Sequence, residues 1–137
     1  MSTDEVPARA YVDSSVLVAA LAPDDVHYHQ ARERLMLYAD EVVTSVLAEV
    51  EVGRALQRRQ APRELRYAAQ RLVAGCERIE LTEDIRVAAA GILPTTVRSL
   101  DAIHVATALA VSARWFISYD TRQQVAAEEA GLATIVP

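Results

Sequence analysis

The sequence predicts an α/β fold, a central four- to five-stranded parallel sheet with helices on both faces. Three observations predict it. Short apolar runs rich in Val, Ile, Tyr and Phe alternate along the chain with longer helical segments, as strands joined by helical crossovers do. The segment from Leu100 to Ala113 is apolar nearly all round, as expected of a helix packed inside a layered fold. The composition, 52% hydrophobic with 5% aromatic and a mean hydropathy of +0.10, builds a core from Ala, Val and Leu, small enough for helices to lie close on a sheet. At 137 residues the chain fits one domain of ordinary size.

The elements follow in order. Ala8 to Asp13 reads as a strand, and Ser14-Ser15 offers an N-cap for a short helix through Leu21. Pro23-Asp24-Asp25 is a turn, with Asp25 a cap for a helix from about Val26 to Tyr38. Glu41 to Thr44 is a second strand, after which Ser45 opens a long helix to about Gln60. Ala61-Pro62 breaks it, and Pro62 starts the next helix, which runs to about Gly75. Arg78 to Leu81 is a third strand, and Thr82, with Glu83 and Asp84, caps a helix ending near Gly91. Leu93 to Thr96 is a loop, and Ser99 caps the apolar helix through about Ser112. Trp115 to Ser118 is the fourth strand, Arg122 to Ala130 a helix capped by Gly131, and Ala133 to Val136 the candidate fifth strand. The sequence has no repeat, linker or low-complexity tract.

Composition narrows the function classes. No apolar stretch approaches the roughly 20 residues of a membrane span, and Met1 to Pro7 lacks the basic and apolar regions of a signal peptide. The single cysteine, Cys76, excludes an internal disulfide and suits a reducing cytoplasm. A net charge of −5 argues against nucleic acid as a partner, although the charge is unevenly distributed. All 14 basic residues are arginine, and Arg54, Arg58, Arg59, Arg63, Arg66 and Arg71 crowd into one stretch. The guanidinium fork suits phosphate and carboxylate alike, while a solvated helical face explains the same pattern equally well. Gly-rich nucleotide fingerprints and a Gly-Lys-Ser/Thr loop are absent.

Four acids stand at informative places: Asp13, Glu51, Asp101 and Asp120. In open parallel sheets ligands bind beyond the carboxyl ends of the strands, at the switch in strand order. Asp13 and Asp120 lie at such ends, where Ser14-Ser15 and Thr121 are available to cap the following helices. Asp101 sits among apolar neighbours, Leu100, Ala102 and Ile103, where an unpaired carboxylate is costly and needs a partner or a metal. Ser118, on the same strand face as Asp120, is placed to orient it or hold a metal-bound water. Physics leaves Glu51 tied with Glu49, since the two point to different faces of a helix. His104, one turn after Asp101, reads as a satisfied core histidine in preference to a base, and His27 and His29 as surface. Like charges that converge need a counter-charge, and with no lysine in the chain a divalent cation is the simplest one.

These residues carry a family resemblance. Tyr11-Val12-Asp13-Ser14-Ser15-Val16-Leu17, the stretch from Thr44 to Leu56 with its acid shortly before Arg54-Ala55-Leu56, Ser99-Leu100-Asp101-Ala102-Ile103-His104-Val105-Ala106, and Phe116-Ile117-Ser118-Tyr119-Asp120 resemble, in order, the acidic motifs of PIN-domain ribonucleases of the VapC toxin type. The second motif favours Glu51 over Glu49. The match begins after the first seven residues, so 1–7 are expected to be a flexible N-terminus and 8–137 the PIN domain, a three-layer α/β/α sandwich. The resemblance implies a metal-dependent endoribonuclease, the toxin of a toxin–antitoxin pair. Asp13, Glu51, Asp101 and Asp120 would be catalytic, holding Mg²⁺ or Mn²⁺ with Ser14 and Ser118 in support. Implied partners are an RNA substrate with unpaired bases, a cognate antitoxin and a second copy in a homodimer, with Arg54, Arg58 and Arg59 as contacts for RNA or antitoxin. A response-regulator receiver and a haloacid-dehalogenase-type phosphatase both want a lysine that is missing here. The alternative of another class is a catalytically silent PIN-like interaction module, against which the presence of all four acids counts.

Overall fold

The computed structural model describes residues 8–137; the expectation for 1–7 lies outside the described residues. Five strands form one sheet: β1 (Ala10–Val12), β2 (Val42–Ser45), β3 (Glu77–Ile79), β4 (Trp115–Ile117) and β5 (Ala133–Ile135). Every pairing is parallel and the order is β3-β2-β1-β4-β5. Among the described residues seven α-helices accompany them: α1 (Ser14–Leu21), α2 (Tyr28–Tyr38), α3 (Leu47–Arg58), α4 (Arg63–Ala74), α5 (Glu83–Ala90), α6 (Ser99–Ala110) and α7 (Thr121–Glu129), with a 3₁₀ turn at Ala39–Glu41.

The alternation of side chains along a strand sorts the core into two layers. Ala10, Val12, Val42 and Ile117 point to one face, where Val16 and Leu17 of α1, Val52 and Leu56 of α3 and Val73 of α4 cover them. Tyr11, Val43 and Phe116 point to the other, under Val105 and Ala108 of α6 and Ala126 and Ala127 of α7. The rings of Tyr11 and Phe116 stack across β1 and β4 with centroids 5.4 Å apart. Helix α6 has Ala102 and the run from His104 to Ala108 buried, which explains its apolar sequence. Among the described residues no helix is long and apolar enough to cross a membrane.

Local signals place most boundaries. Pro62 precedes α4 in extended conformation, Thr82 Oγ1 accepts from Ile85 N–H at the start of α5, and Gly131 takes the positive φ of 94° that ends α7. Several caps differ from expectation. Asp13 caps α1 and Asp120 caps α7, in place of Ser14-Ser15 and Thr121. Ser45 closes β2, and its hydroxyl accepts from Leu47 N–H just before α3. Asp25 binds the N–H of His27, and α2 starts only at Tyr28. Ser99 lies inside the first turn of α6, with Arg98 at the cap position.

The chain leaves β1 toward β2 and β3, then returns to β4 on the opposite side of β1. The switch in direction therefore falls between β1 and β4, and it opens a crevice at their carboxyl ends. Two bonds hold that end rigid: Asp13 N–H donates to Ile117 O at 3.2 Å and Thr44 Oγ1 donates to Val12 O at 2.7 Å. Because Phe116 is fully buried at the centre of the second layer, Phe116→Ala is expected to cost about 3–5 kcal/mol in urea unfolding. Val50→Ala, at a residue 63% exposed, should stay within about 0.5 kcal/mol.

Candidate active site

Asp13, Glu51, Asp101 and Asp120 all line one cleft of about 580 Å³ at the carboxyl ends of β1 and β4. Each arrives on a different element: Asp13 after β1, Glu51 from α3, Asp101 from the first turn of α6 and Asp120 after β4. Ser14 lies in the same wall, as do Arg54, Arg58 and Arg59. Arg66 and Arg71, from the same arginine-rich stretch, face other grooves because they belong to α4.

Asp13 is the most confined, 1% exposed at the end of the central strand. Its Oδ1 accepts from Ser15 Oγ at 2.6 Å and from Val16 N–H at 3.4 Å, and its Oδ2 accepts from Ser118 Oγ at 3.0 Å. Burial pushes its pKa up to about 6, against the pull of His104 and these donors, which favour the charged form. Ser118 Oγ also accepts from Asp120 N–H at 2.9 Å, so one hydroxyl joins two of the acids. Ser14 makes no side-chain hydrogen bond among the described residues, and the neighbouring Ser15 supplies the bond to Asp13 instead.

The structure separates the two glutamates. Glu51 is half-buried in the cleft, and its Oε1 lies 2.5 Å from His104 Nε2. Glu49 points away and pairs with Arg78 at 2.6 Å. His104 is fully buried, with Nδ1 2.6 Å from Tyr11 Oη, so both ring nitrogens are engaged and its carboxylate partner is Glu51. Burial alone favours the neutral ring. The hydrogen bond to Glu51 and the charges of Glu51, Asp13 and Asp101 outweigh it, and the pKa rises above 6.5. In the protonated ring both nitrogens donate, Nε2 to the carboxylate and Nδ1 to the phenol. Tyr11 itself is pushed well above its usual pKa of 10 by burial and by the charges of Asp13 and Glu51, so it stays neutral.

Asp101 Oδ1 accepts from Gln123 Nε2 at 2.9 Å, and Asp120 Oδ1 accepts from Arg122 N–H at 2.9 Å and Gln123 N–H at 3.2 Å. Gln123 thus bridges α6 and α7 within the site. Gln123, Ser15 and Tyr11 carry no mark in the sequence, since nothing local identifies a glutamine in a helix as the partner of an acid 22 residues away. The four acids share the cleft, yet each is tied to its own wall. Among the described residues no three His, Cys, Asp or Glu side chains are gathered closely enough to hold an ion as they stand.

A parallel sheet with an acid-lined crevice at its switch point defines a class of α/β proteins, and the profile of the PIN domain matches residues 10–129. The chain belongs to the PIN domain family. It is 35% identical over 134 residues to Ribonuclease VapC46 of Mycobacterium tuberculosis, covering 95% of this chain and 98% of that one. Its fold is similar to VapC20 of Mycobacterium tuberculosis, described as a sarcin–ricin loop cleaving toxin, with a TM-score of 0.74 at 21% identity over 93% of this chain and 99% of that one. It is also similar to a chain of a toxin–antitoxin complex from Klebsiella pneumoniae, with a TM-score of 0.71 at 18% identity over 93% and 97% of the two chains.

The buried charges set a pH dependence of stability. Asp13 titrates near 3.8 when unfolded and near 6 when folded, so between these values the native state holds a proton that the unfolded chain releases. Stability therefore falls as pH rises through that window. The raised pKa of His104 acts in the same direction: its contribution is full below 6.5 and is lost as pH passes its folded pKa. Metal-free protein should melt at progressively lower temperature as pH rises from about 4 to about 6, and the fall should continue above 6.5 as His104 loses its proton. Asp13→Asn should flatten the part of the profile below about pH 6 and be the more stable protein above it. Superimposable melting profiles for the two proteins would contradict the assignment of that slope to Asp13.

Proposed function

We propose that this protein is a metal-dependent endoribonuclease and the toxin of a toxin–antitoxin pair. The observation that carries the reading is the convergence of Asp13, Glu51, Asp101 and Asp120 on one crevice, in a chain that matches a protein named as a ribonuclease along nearly its whole length.

The donor set suits a hard cation. All four groups offer carboxylate oxygen, and Glu51 Oε2, Asp101 Oδ2 and Asp120 Oδ2 accept no hydrogen bond among the described residues. Because the carboxylates are spread over separate walls, Mg²⁺ or Mn²⁺ fits best as a hydrated ion, held through one or two carboxylates directly and through water by the others. When bound, the ion supplies positive charge for the scissile phosphate and a water of lowered pKa.

The protein's own groups prepare the site. Ser15 and Ser118 fix the buried Asp13 and favour its ionised form. His104 holds Glu51 at one angle, and Gln123 does the same for Asp101. Arg54 and Arg58 line the cleft and pair with no carboxylate among the described residues, so their guanidinium groups are available to the phosphates of a single strand. These same arginines suit an acidic segment of an antitoxin that closes the cleft. A homodimer completes the proposed assembly.

Protein freed of antitoxin should cut unstructured RNA with Mg²⁺ or Mn²⁺ and stop when the metal is chelated. Outer-shell partners of a metal ligand are worth about 10–100-fold, so Ser118→Ala should lose that much and Asp101→Asn more than about 100-fold. Cleavage by Asp101→Asn equal to that of the wild type would mean the activity belongs to a contaminant.

A further inference from the structure

One feature of the cleft is not used by the carboxylate chemistry. The rings of His27 and Tyr119 stack at its mouth, with centroids 4.2 Å apart and planes 17° from parallel. Tyr119 lies between Ser118 and Asp120 in the chain, and its N–H donates to Ser15 Oγ at 3.1 Å, the hydroxyl that also donates to Asp13. The tyrosine ring is thereby placed relative to the acids through a chain of two hydrogen bonds. Among the described residues its own hydroxyl is buried without a hydrogen-bond partner, and packing against His27 holds the ring.

His27 comes from the loop between α1 and α2. Its N–H donates to Asp25 Oδ1 at 2.8 Å, and the Asp25 carboxylate lies 3.6 Å from Arg59 at the end of α3. The loop is anchored, but the imidazole is exposed and borders both the acidic cleft and an adjoining depression of about 550 Å³. A surface histidine stacked on one side leaves the rest of its ring to solvent. The core gains little from that arrangement, whereas a flat π-face beside arginines is what a single-stranded nucleic acid uses.

We propose that the His27–Tyr119 stack is a platform on which one unpaired base of the RNA lies, next to the phosphate that the carboxylates address. The proposal rests on the ribonuclease reading. An acid-lined cleft repels a polyanion, so backbone contacts to Arg54 and Arg58 and a stacked base together hold the strand in register. The platform accepts any base, because every base offers a π-face, and it requires the base to be unpaired. His27 is a positioning residue in this scheme.

The test uses an unstructured RNA that the wild type cuts, with 2-aminopurine placed in turn at the nucleotides flanking the cut. In an Asp101→Asn background, binding should quench the fluorescence at one of these positions. Adding His27→Ala should abolish the quench, and His27→Phe should keep it. With Asp101 intact, His27→Ala should raise KM about 5- to 150-fold, the range one stacked base is worth, while kcat moves far less and His27→Phe recovers KM. An unchanged KM and an unchanged quench in His27→Ala would overturn the platform while leaving the nuclease intact. So would a loss that His27→Phe fails to recover. A wild type that cuts no RNA would remove the ribonuclease reading and this proposal with it.

Discussion

The structure depends on keeping a carboxylate buried at the end of its central strand. Asp13 is 1% exposed, with the sheet behind it and α1 beginning at its own side chain. Burying such a group is unfavourable unless donors surround it, and three do: two serine hydroxyls and one backbone N–H. Ser118 reaches it only because β4 pairs with β1 in register, Tyr11 against Phe116 and Val12 against Ile117. The strand order that creates the crevice therefore also solvates the acid within it. Even so, burial wins by a margin that leaves the Asp13 pKa near 6, and the residual tension is what a cation at the site would relieve.

Two of the acids serve the fold and the site at once. Asp13 accepts from Val16 N–H and Asp120 accepts from Arg122 and Gln123 N–H, so each caps the helix that follows its strand. A helix N-terminus favours negative charge, so a carboxylate at either position suits the helix that follows it. A structural cap and the proposed functional acid are thus compatible at these positions. Asp101 and Glu51 are different. They project from helical surfaces, and side chains contributed from afar, Gln123 and His104, set their directions.

This division explains what the sequence makes legible. Strands β4 and β5, the break at Pro62, the Thr82 cap and the turn at Gly131 are written in neighbouring residues, and they stand where the pattern puts them. Asp13 and Asp120 are visible as acids after strands, but their capping role is hidden by Ser14-Ser15 and Thr121, which are equally good caps one position along. Glu51 and Glu49 are indistinguishable locally, because the rotation of α3 is decided by packing against α1 and α4 and by a histidine 53 positions away. The bond of Ser15 to Tyr119 and the stack of His27 on that ring join segments roughly a hundred positions apart, beyond any periodicity.

The four carboxylates are proposed to form a cation site organised around Asp13. Electron paramagnetic resonance of Mn²⁺ titrated into RNA-free protein tests it without reference to activity. Bound Mn²⁺ that Mg²⁺ displaces is expected, with an affinity at least about tenfold weaker in Asp13→Asn. Mn²⁺ binding of equal strength in wild type and Asp13→Asn would contradict it.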